Sequence, residues 1–190
     1  MIEKWNDDQV YTNINYSAQK LIQTEFDKCK FENCDFSDAD LSESDFVSCR
    51  FENCNFSNAR LSGTGMKDVH FIECKLIGMS FAACSDFLFS VNFQKCVLDY
   101  AVFAEKKMKK TKFVDCSLKE VDFSGTDLSL SDFHHCDLLQ TVFHRTNLEK
   151  ADFRTAKNYS MDPEANRIKK AKFSYTGIIG LLGKYKIELE

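Results

Sequence analysis

A large apolar residue recurs every five positions along most of the chain. The first part of the series ends at Phe81, and the second begins at Leu88 after a two-residue slip in phase across Ala82–Phe87. The members are Leu21, Phe26, Phe31, Phe36, Leu41, Phe46, Phe51, Phe56, Leu61, Met66, Phe71, Leu76 and Phe81, then Leu88, Phe93, Leu98, Phe103, Met108, Phe113, Leu118, Phe123, Leu128, Phe133, Leu138, Phe143, Leu148 and Phe153. A period of five fits neither an α-helix nor a β-strand. The period therefore predicts a repeat structure in which each step turns one large side chain into a narrow interior.

A second period, of 20 residues, lies on top of the first. A small residue stands two positions before each large one, and most of the other three positions are polar. Allowing for the slip, one column of positions 20 apart reads Phe31, Phe51, Phe71, Phe93, Phe113, Phe133 and Phe153, and another reads Cys34, Cys54, Cys74, Cys96, Cys116 and Cys136. This repetition accounts for an unusual composition of 18 Phe against 1 Pro and 7 Gly. These two runs support a period of 20, which the five-residue frame alone does not require.

The five-residue frame resembles a known signature. The frame A/C/T–D/N–F/L–x–x, as in Ala39-Asp40-Leu41-Ser42-Glu43, is similar to the pentapeptide repeat, over about 135 of the 190 residues, roughly from 19 to 156. The resemblance implies an all-β fold, a right-handed quadrilateral parallel β-helix of about seven coils with a short C-terminal helical element. Four repeats would form each coil of 20 residues, and successive coils would stack about 4.8 Å apart, the spacing of strands in a sheet. Residues 1–20 are interpreted as a lead-in or cap, 21–157 as the β-helix, and 158–190 as a loop, a last repeat and a helix-strand cap.

The C-terminal segment is predicted to be an apolar helix over Gly177–Tyr185, followed by a strand-like KIELE. It is similar to the C-terminal helix and strand of the quinolone-resistance pentapeptide proteins, where that element joins two subunits end to end. The resemblance implies a C-terminal homodimer, and a monomeric cap stays open as the alternative. The implied interface residues are Ile178, Ile179, Leu181, Leu182, Tyr185 and Ile187.

Several classes of function are not expected. A straight column of inward cysteines suits neither disulfides nor a metal, because neighbouring thiols point the same way and ligands do not converge. His134 and His135 are expected to point outward and Cys136 inward, so they share no ion. A filled interior leaves no pocket for catalytic or cofactor-binding residues, so no enzyme is expected. There is no apolar run long enough for a membrane span and no signal peptide, and nine cysteines without one indicate a reducing, cytoplasmic setting.

Charge is unevenly distributed along the sequence. Residues 21–103 carry 13 acidic and 7 basic side chains, whereas residues 104–120 carry 3 acidic and 6 basic. The candidate acidic surface is Asp27, Glu32, Asp38, Glu43, Glu52, Asp68 and Glu73, and the basic patch is Lys106, Lys107, Lys109, Lys110 and Lys112. Lys106 falls at a small, inward position of the frame, which predicts a local bulge that lifts it out. Aspartates just before large residues, such as Asp35 and Asp40, are expected to serve turns.

Two functions stay open at this point. The first is a non-enzymatic protein-interaction module with an unassigned protein partner, since fold does not fix function. The second follows from the resemblance: quinolone-resistance members are described as mimics of DNA that bind DNA gyrase or topoisomerase IV and protect them from fluoroquinolones. Carboxylates would then replace phosphates against the enzyme's basic residues, without direct nucleic-acid binding. The basic patch and the lack of any insertion longer than two residues before Asn158 depart from that pattern.

Overall fold

In the computed structural model, which describes residues 3–188, the chain winds into the predicted right-handed, four-sided parallel β-solenoid. Strands of three or four residues form on two of its sides and pair in parallel with the coils before and after. Strands β1, β3, β5 and β7 form one sheet, and the other has the order β11-β10-β9-β8-β6-β4-β2. The strands are β1 Trp5–Asp7, β2 Val10–Thr12, β3 Glu25–Asp27, β4 Lys30–Glu32, β5 Asp45–Val47, β6 Arg50–Glu52, β7 Gly65–Lys67, β8 Val69–Ile72, β9 Val91–Gln94, β10 Lys112–Val114 and β11 Asp132–His134.

The pairing register confirms the 20-residue coil. Phe26 pairs with Phe46 and Phe31 with Phe51, each 20 positions apart. Isolated parallel bridges continue the same spacing on the other two sides, for example between Asp35 and Asn55. We number the faces by their inward columns: the first follows Phe26 and Phe46, the second Phe31 and Phe51, the third Phe36 and Phe56, and the fourth Leu41 and Leu61.

Phenylalanine rings fill the interior. On the second face, the ring centroids of Phe31 and Phe51 lie 4.7 Å apart with planes 12° apart, and stacking of this kind continues to Phe133 and Phe153 at 4.6 Å. Rings on adjacent faces meet edge to face, as Phe26 and Phe31 do at 5.4 Å. Both arrangements are favoured by the ring quadrupole. The burial of these rings provides the main driving force for folding.

The corners of each coil depend on left-handed residues. Asp38 and Glu43 have φ of +56° and +58°, and their N–H groups donate to carbonyls of the next coil, at 3.0 Å to Ser57 and 2.8 Å to Ser62. These bonds hold non-glycine residues in a conformation that is otherwise unfavourable. Asp35 accepts a hydrogen bond from the Ser37 N–H at 2.9 Å, so the prediction that such aspartates serve turns is confirmed.

The phase slip takes a different form from the one predicted. The inward position predicted for Leu88 is wrong: this residue lies at a corner with φ of +56° and is exposed. Phe89 is buried and fills the interior instead. It is one of two residues between this corner and Val91, where the frame resumes. Strand pairs across the slip are 22 positions apart, as with Phe71 and Phe93. The insertion is therefore absorbed within one corner, and the stack of coils continues.

The two ends are covered differently. The ladder already begins at β1, within the segment predicted as a lead-in, and Tyr11 stacks on Phe31 at 4.9 Å. The C-terminal segment forms two 3₁₀ turns, Gly177–Leu181 and Gly183–Tyr185. Residues 186–188 form no strand, and the rest of the predicted KIELE strand lies outside the described residues. Among residues 3–188, no helix has the length and apolarity to cross a membrane.

The buried cysteines are expected to be unreactive while the chain is folded. All nine are buried and unpaired, and burial raises the pKa of Cys49 to about 12 and that of Cys84 to about 12. Because all nine thiols lie out of reach of a reagent in solvent, we expect no reaction with a disulfide reagent such as DTNB at mildly alkaline pH in the native state. In guanidinium chloride all nine should react. Rapid labelling of several thiols before unfolding would contradict the packed cysteine columns.

Candidate interaction surface

The solenoid offers its outer faces, not its interior, for binding. Rings in the middle of the stacked columns, such as those of Phe51 and Phe93, are 1% exposed. A groove between outward side chains of the second face is lined by Arg50, His70 and Lys112. Side chains that point outward along the four faces are therefore the candidates for function.

The candidate acidic residues do not gather on one face. Asp27 and Asp68 lie on the first face, Asp38 on the third and Glu43 on the fourth, while Glu32, Glu52 and Glu73 lie on the second. The coil places successive repeats on successive sides, so acidic residues close in sequence point in different directions. No continuous acidic surface arises from these seven residues.

Most of these carboxylates also have a cationic neighbour. Lys30 lies 2.6 Å from Glu32 and 3.2 Å from Glu52, and Arg50 also binds Glu52, which lowers the pKa of that carboxyl. Asp27 pairs with Lys28 at 3.3 Å and Glu73 with Lys95 at 2.9 Å, and the Asp68 carboxylate lies 3.2 Å from a ring nitrogen of His70. The negative potential of the N-terminal coils is therefore largely neutralised at the second face.

The predicted basic patch is divided by the fold. Lys107, Lys109 and Lys110 lie exposed on the first face, and Lys112 lies beside them on the second. None of these four makes an ion pair within residues 3–188. The prediction that a bulge lifts Lys106 out is wrong, because this side chain is 3% exposed and points inward. The exposed patch thus consists of four lysines.

Lys106 is anchored to the phase slip. Its Nζ donates to Asp86 Oδ1 at 2.7 Å and to the carbonyl oxygen of Cys84, and it lies 5.2 Å from the ring centroid of Phe89. In other coils a Thr or Ser at this inward position donates to a carbonyl of the preceding coil, as Thr126 does to Phe103. Lys106 donates the same kind of hydrogen bond through a longer side chain, and it also binds the carboxylate of Asp86 in the slip. A sequence frame alone identifies the inward position but not the partner that makes a buried ammonium acceptable.

The C-terminal tail leaves apolar side chains exposed. Ile178, Ile179, Tyr185 and Ile187 are each between 50% and 54% exposed, and Tyr175 is 97% exposed. Of the predicted interface residues, Leu182 is half-buried, and Leu181 is buried against the core and so is not part of this exposed set.

The histidines form no metal site in the described part of the chain. His134 and His135 lie outward with ring centroids 3.9 Å apart, Cys136 is fully buried, and His144 lies on the fourth face. No group of three or more His, Cys, Asp or Glu residues within residues 3–188 is arranged to hold a metal ion.

The first face carries a charge division that sequence order does not reveal. Its N-terminal half, formed by β1, β3, β5, β7 and their corners, has six acidic and two basic side chains, a net charge of −4. Its C-terminal half, stacked through Lys107, Asp127, Asn147 and Arg167, has seven basic and two acidic side chains, a net charge of +5. The acidic set is Asp7, Asp8, Glu25, Asp27, Asp45 and Asp68, against Lys28 and Lys67. The basic set is Lys107, Lys109, Lys110, Lys150, Arg167, Lys169 and Lys170, against Asp127 and Glu149.

Four of these basic residues do not stand out in the linear sequence. Lys150, Arg167, Lys169 and Lys170 are 40 or more positions from Lys110 along the chain but share its face. Alignment of the sequence in rows of 20 after the slip places them together.

The fold defines the class of protein: a repeat solenoid with a filled core. The family profile described as "Pentapeptide repeat region" matches residues 24–103 and 86–153, and the chain belongs to the pentapeptide-repeat family. No curated protein matches the sequence significantly.

One solved structure agrees with this fold, and a second is similar in part. A trypsin-treated variant of QnrB1, a plasmid-mediated fluoroquinolone resistance protein, is 19% identical with a TM-score of 0.51, covering 98% of this chain and 91% of that one. HetL, a pentapeptide-repeat protein involved in heterocyst differentiation regulation in the cyanobacterium Nostoc sp. strain PCC 7120, is 14% identical with a TM-score of 0.42, covering 90% and 89%.

Proposed function

We propose that this chain is a non-enzymatic interaction module that binds a protein partner through its outer faces, in a reducing, cytoplasmic setting. The observation that carries the proposal is the filled interior, since stacked rings about 5 Å apart leave no room for a substrate. The four free lysines of the basic patch and the exposed apolar tail provide contact groups of the kinds that protein interfaces use. The buried, unpaired cysteines support a reducing compartment.

The C-terminal tail is proposed to join two copies end to end. Isoleucines and tyrosines about half exposed on the terminal 3₁₀ turns support this assembly, because a short cap on one rod would otherwise leave them in water. Ile178 and Ile179 are the residues whose replacement by aspartate should prevent it. Sedimentation analysis of that double variant checks the assembly, and an unchanged distribution of species would count against it.

Surface charge reversals test the mode of binding. The measurement is chemical cross-linking of a partner to the native protein and to two variants. One variant replaces Lys107, Lys109 and Lys110 with glutamate, and the other replaces Lys75, Arg145 and Lys157 on the third and fourth faces. We expect one of the two variants to lose the cross-linked partner. The two variants change net charge equally, and all six side chains are exposed, so folding should be unaffected. Capture that survives both reversals would contradict binding through the first, third and fourth faces.

A DNA mimic that binds DNA gyrase or topoisomerase IV is the second candidate. The fold shared with QnrB1 over nearly the whole chain favours it. The placement of the candidate carboxylates on four faces, and their pairing with lysine, arginine and histidine, speaks against a phosphate-like array. We therefore expect no inhibition of supercoiling by purified gyrase at about micromolar protein, and no change in quinolone-stabilised cleavage. Inhibition that is lost when Glu32, Glu52 and Glu73 become glutamine would establish the second candidate instead.

A further inference from the structure

The first face has a centre and two opposite halves. The centre is the phase slip, where Phe87 and Leu88 are 67% and 66% exposed. On one side of it lie the four rungs β1, β3, β5 and β7, and on the other side the four rungs that contain Lys107, Asp127, Asn147 and Arg167. The halves have equal length, and their net charges are opposite.

An interface between two identical copies related by a two-fold axis must be self-complementary. With the axis through the slip and perpendicular to the rod, the acidic half of one copy would face the basic half of the other. The apolar side chains of Phe87 and Leu88 would meet their own counterparts at the centre. The first face therefore has the arrangement that a two-fold interface requires: an apolar centre flanked by complementary charge.

Three of the four rung pairs contain opposite charges, whereas the second pair places Asp45 against Asp127, both acidic. Counted outward from the slip, Asp68 lies on the same rung as Lys109, Glu25 as Lys150, and Asp7 as Lys169. All six side chains are exposed, and of the six only Asp68 has an ion-pair partner within residues 3–188, His70 at 3.2 Å. Antiparallel packing would place each of these groups on a rung that also carries an opposite charge of the neighbouring copy.

We propose that two copies of this chain associate side by side and antiparallel through the first face, with the phase slip on the two-fold axis. This inference goes beyond the proposed function: the dimer would cover Lys107, Lys109 and Lys110, so a partner that binds the basic patch would compete with it, while the other three faces stay free. It also differs from the end-to-end assembly through the tail. Exposed ion pairs are weak individually, so the association should be modest and should fall as salt screens the charges.

The test uses the full chain with Ile178 and Ile179 replaced by aspartate, which removes the apolar tail contact. In sedimentation velocity at about 50 mM NaCl this protein should form dimers, and the dissociation constant should rise at least about tenfold at about 500 mM NaCl. In the same background, K109E/K150E/K169E should be monomeric, and D7K/E25K/D68K should be monomeric too. K75E/R145E/K157E carries the same charge change as the first of these on other faces and should dimerise normally.

Mixing the two reversed variants gives the decisive result. Two copies of the same variant repel each other, because both halves of the first face then carry net charge of the same sign. In a mixed pair, the native acidic half of K109E/K150E/K169E faces the native basic half of D7K/E25K/D68K. The two altered halves, which now have opposite signs, also face each other. An equimolar mixture should therefore form heterodimers with about the native salt dependence. The proposal is overturned if the tail variant is monomeric at low salt, if the mixture stays monomeric, or if the basic half binds a polyanion such as heparin without any self-association.

Discussion

Replacing Phe93 with alanine is expected to destabilise the protein by about 3–5 kcal/mol, the range found for large aromatic-to-alanine changes in packed cores. The ring stacks on Phe71 at 5.4 Å and on Phe113 at 5.2 Å, and its edge meets Phe81 at 5.7 Å and Phe103 at 5.9 Å. Because each coil contacts only its neighbours, a cavity at mid-rod weakens two interfaces at once. Guanidinium chloride unfolding followed by circular dichroism measures the loss.

Phe87 offers a matched control, since the same change to alanine removes a ring that is 67% exposed. We expect a cost below about 0.5 kcal/mol there, as for most surface substitutions. Equal losses at the two positions would mean that the central rings do not carry the stability of the rod.

Replacing Lys106 with glutamate is expected to cost about 3–5 kcal/mol, because it places an unpaired carboxylate in a buried position beside a carbonyl oxygen and the exposed Asp86. The ammonium now binds Asp86 and the Cys84 carbonyl, and glutamate would repel both. The phase slip should loosen, which would appear as faster amide exchange over residues 82–90 than in the native protein.

Lys107 is the control for this second change. It is the next residue, is exposed, and makes no ion pair within residues 3–188, so its replacement by glutamate should change stability by less than about 0.5 kcal/mol. If both glutamate variants unfold at the same denaturant concentration, the buried position of Lys106 is contradicted.

The fold follows from the sequence because its two periods encode separate physical requirements. The period of five determines which side chains point inward, and the period of 20 determines which of them stack, so the sequence alone places Phe31 against Phe51. Turn aspartates such as Asp35 follow from local hydrogen bonding.

The slip is harder to predict because the five-residue frame does not show where within the insertion the inward positions resume. Leu88 and Phe89 are both large and apolar, and only the backbone conformation decides that Leu88 takes the corner and Phe89 the core. The wrong prediction for Lys106 has a related cause: its burial depends on Asp86, and their contact exists only once the coils are stacked across the slip.

The candidate surface is the feature that the sequence predicts least well. Asp27 and Glu32 are neighbours in the sequence but lie on different faces, whereas Asp7 and Asp68 lie far apart in the sequence and share one. A count of charges along the sequence therefore combines residues from all four faces and does not give the net charge of any one face. Lys30 and Arg50 then neutralise Glu52 through contacts between coils that a linear count does not register.

Electron density for the interior between Leu21 and Phe153 is the most direct measurement of whether this chain acts only through its faces. We expect continuous columns of rings separated by the 4.5–5.6 Å seen between Phe81 and Phe103 and between Phe123 and Phe143. Density for a solvent-filled or ligand-filled chamber along the axis would contradict it.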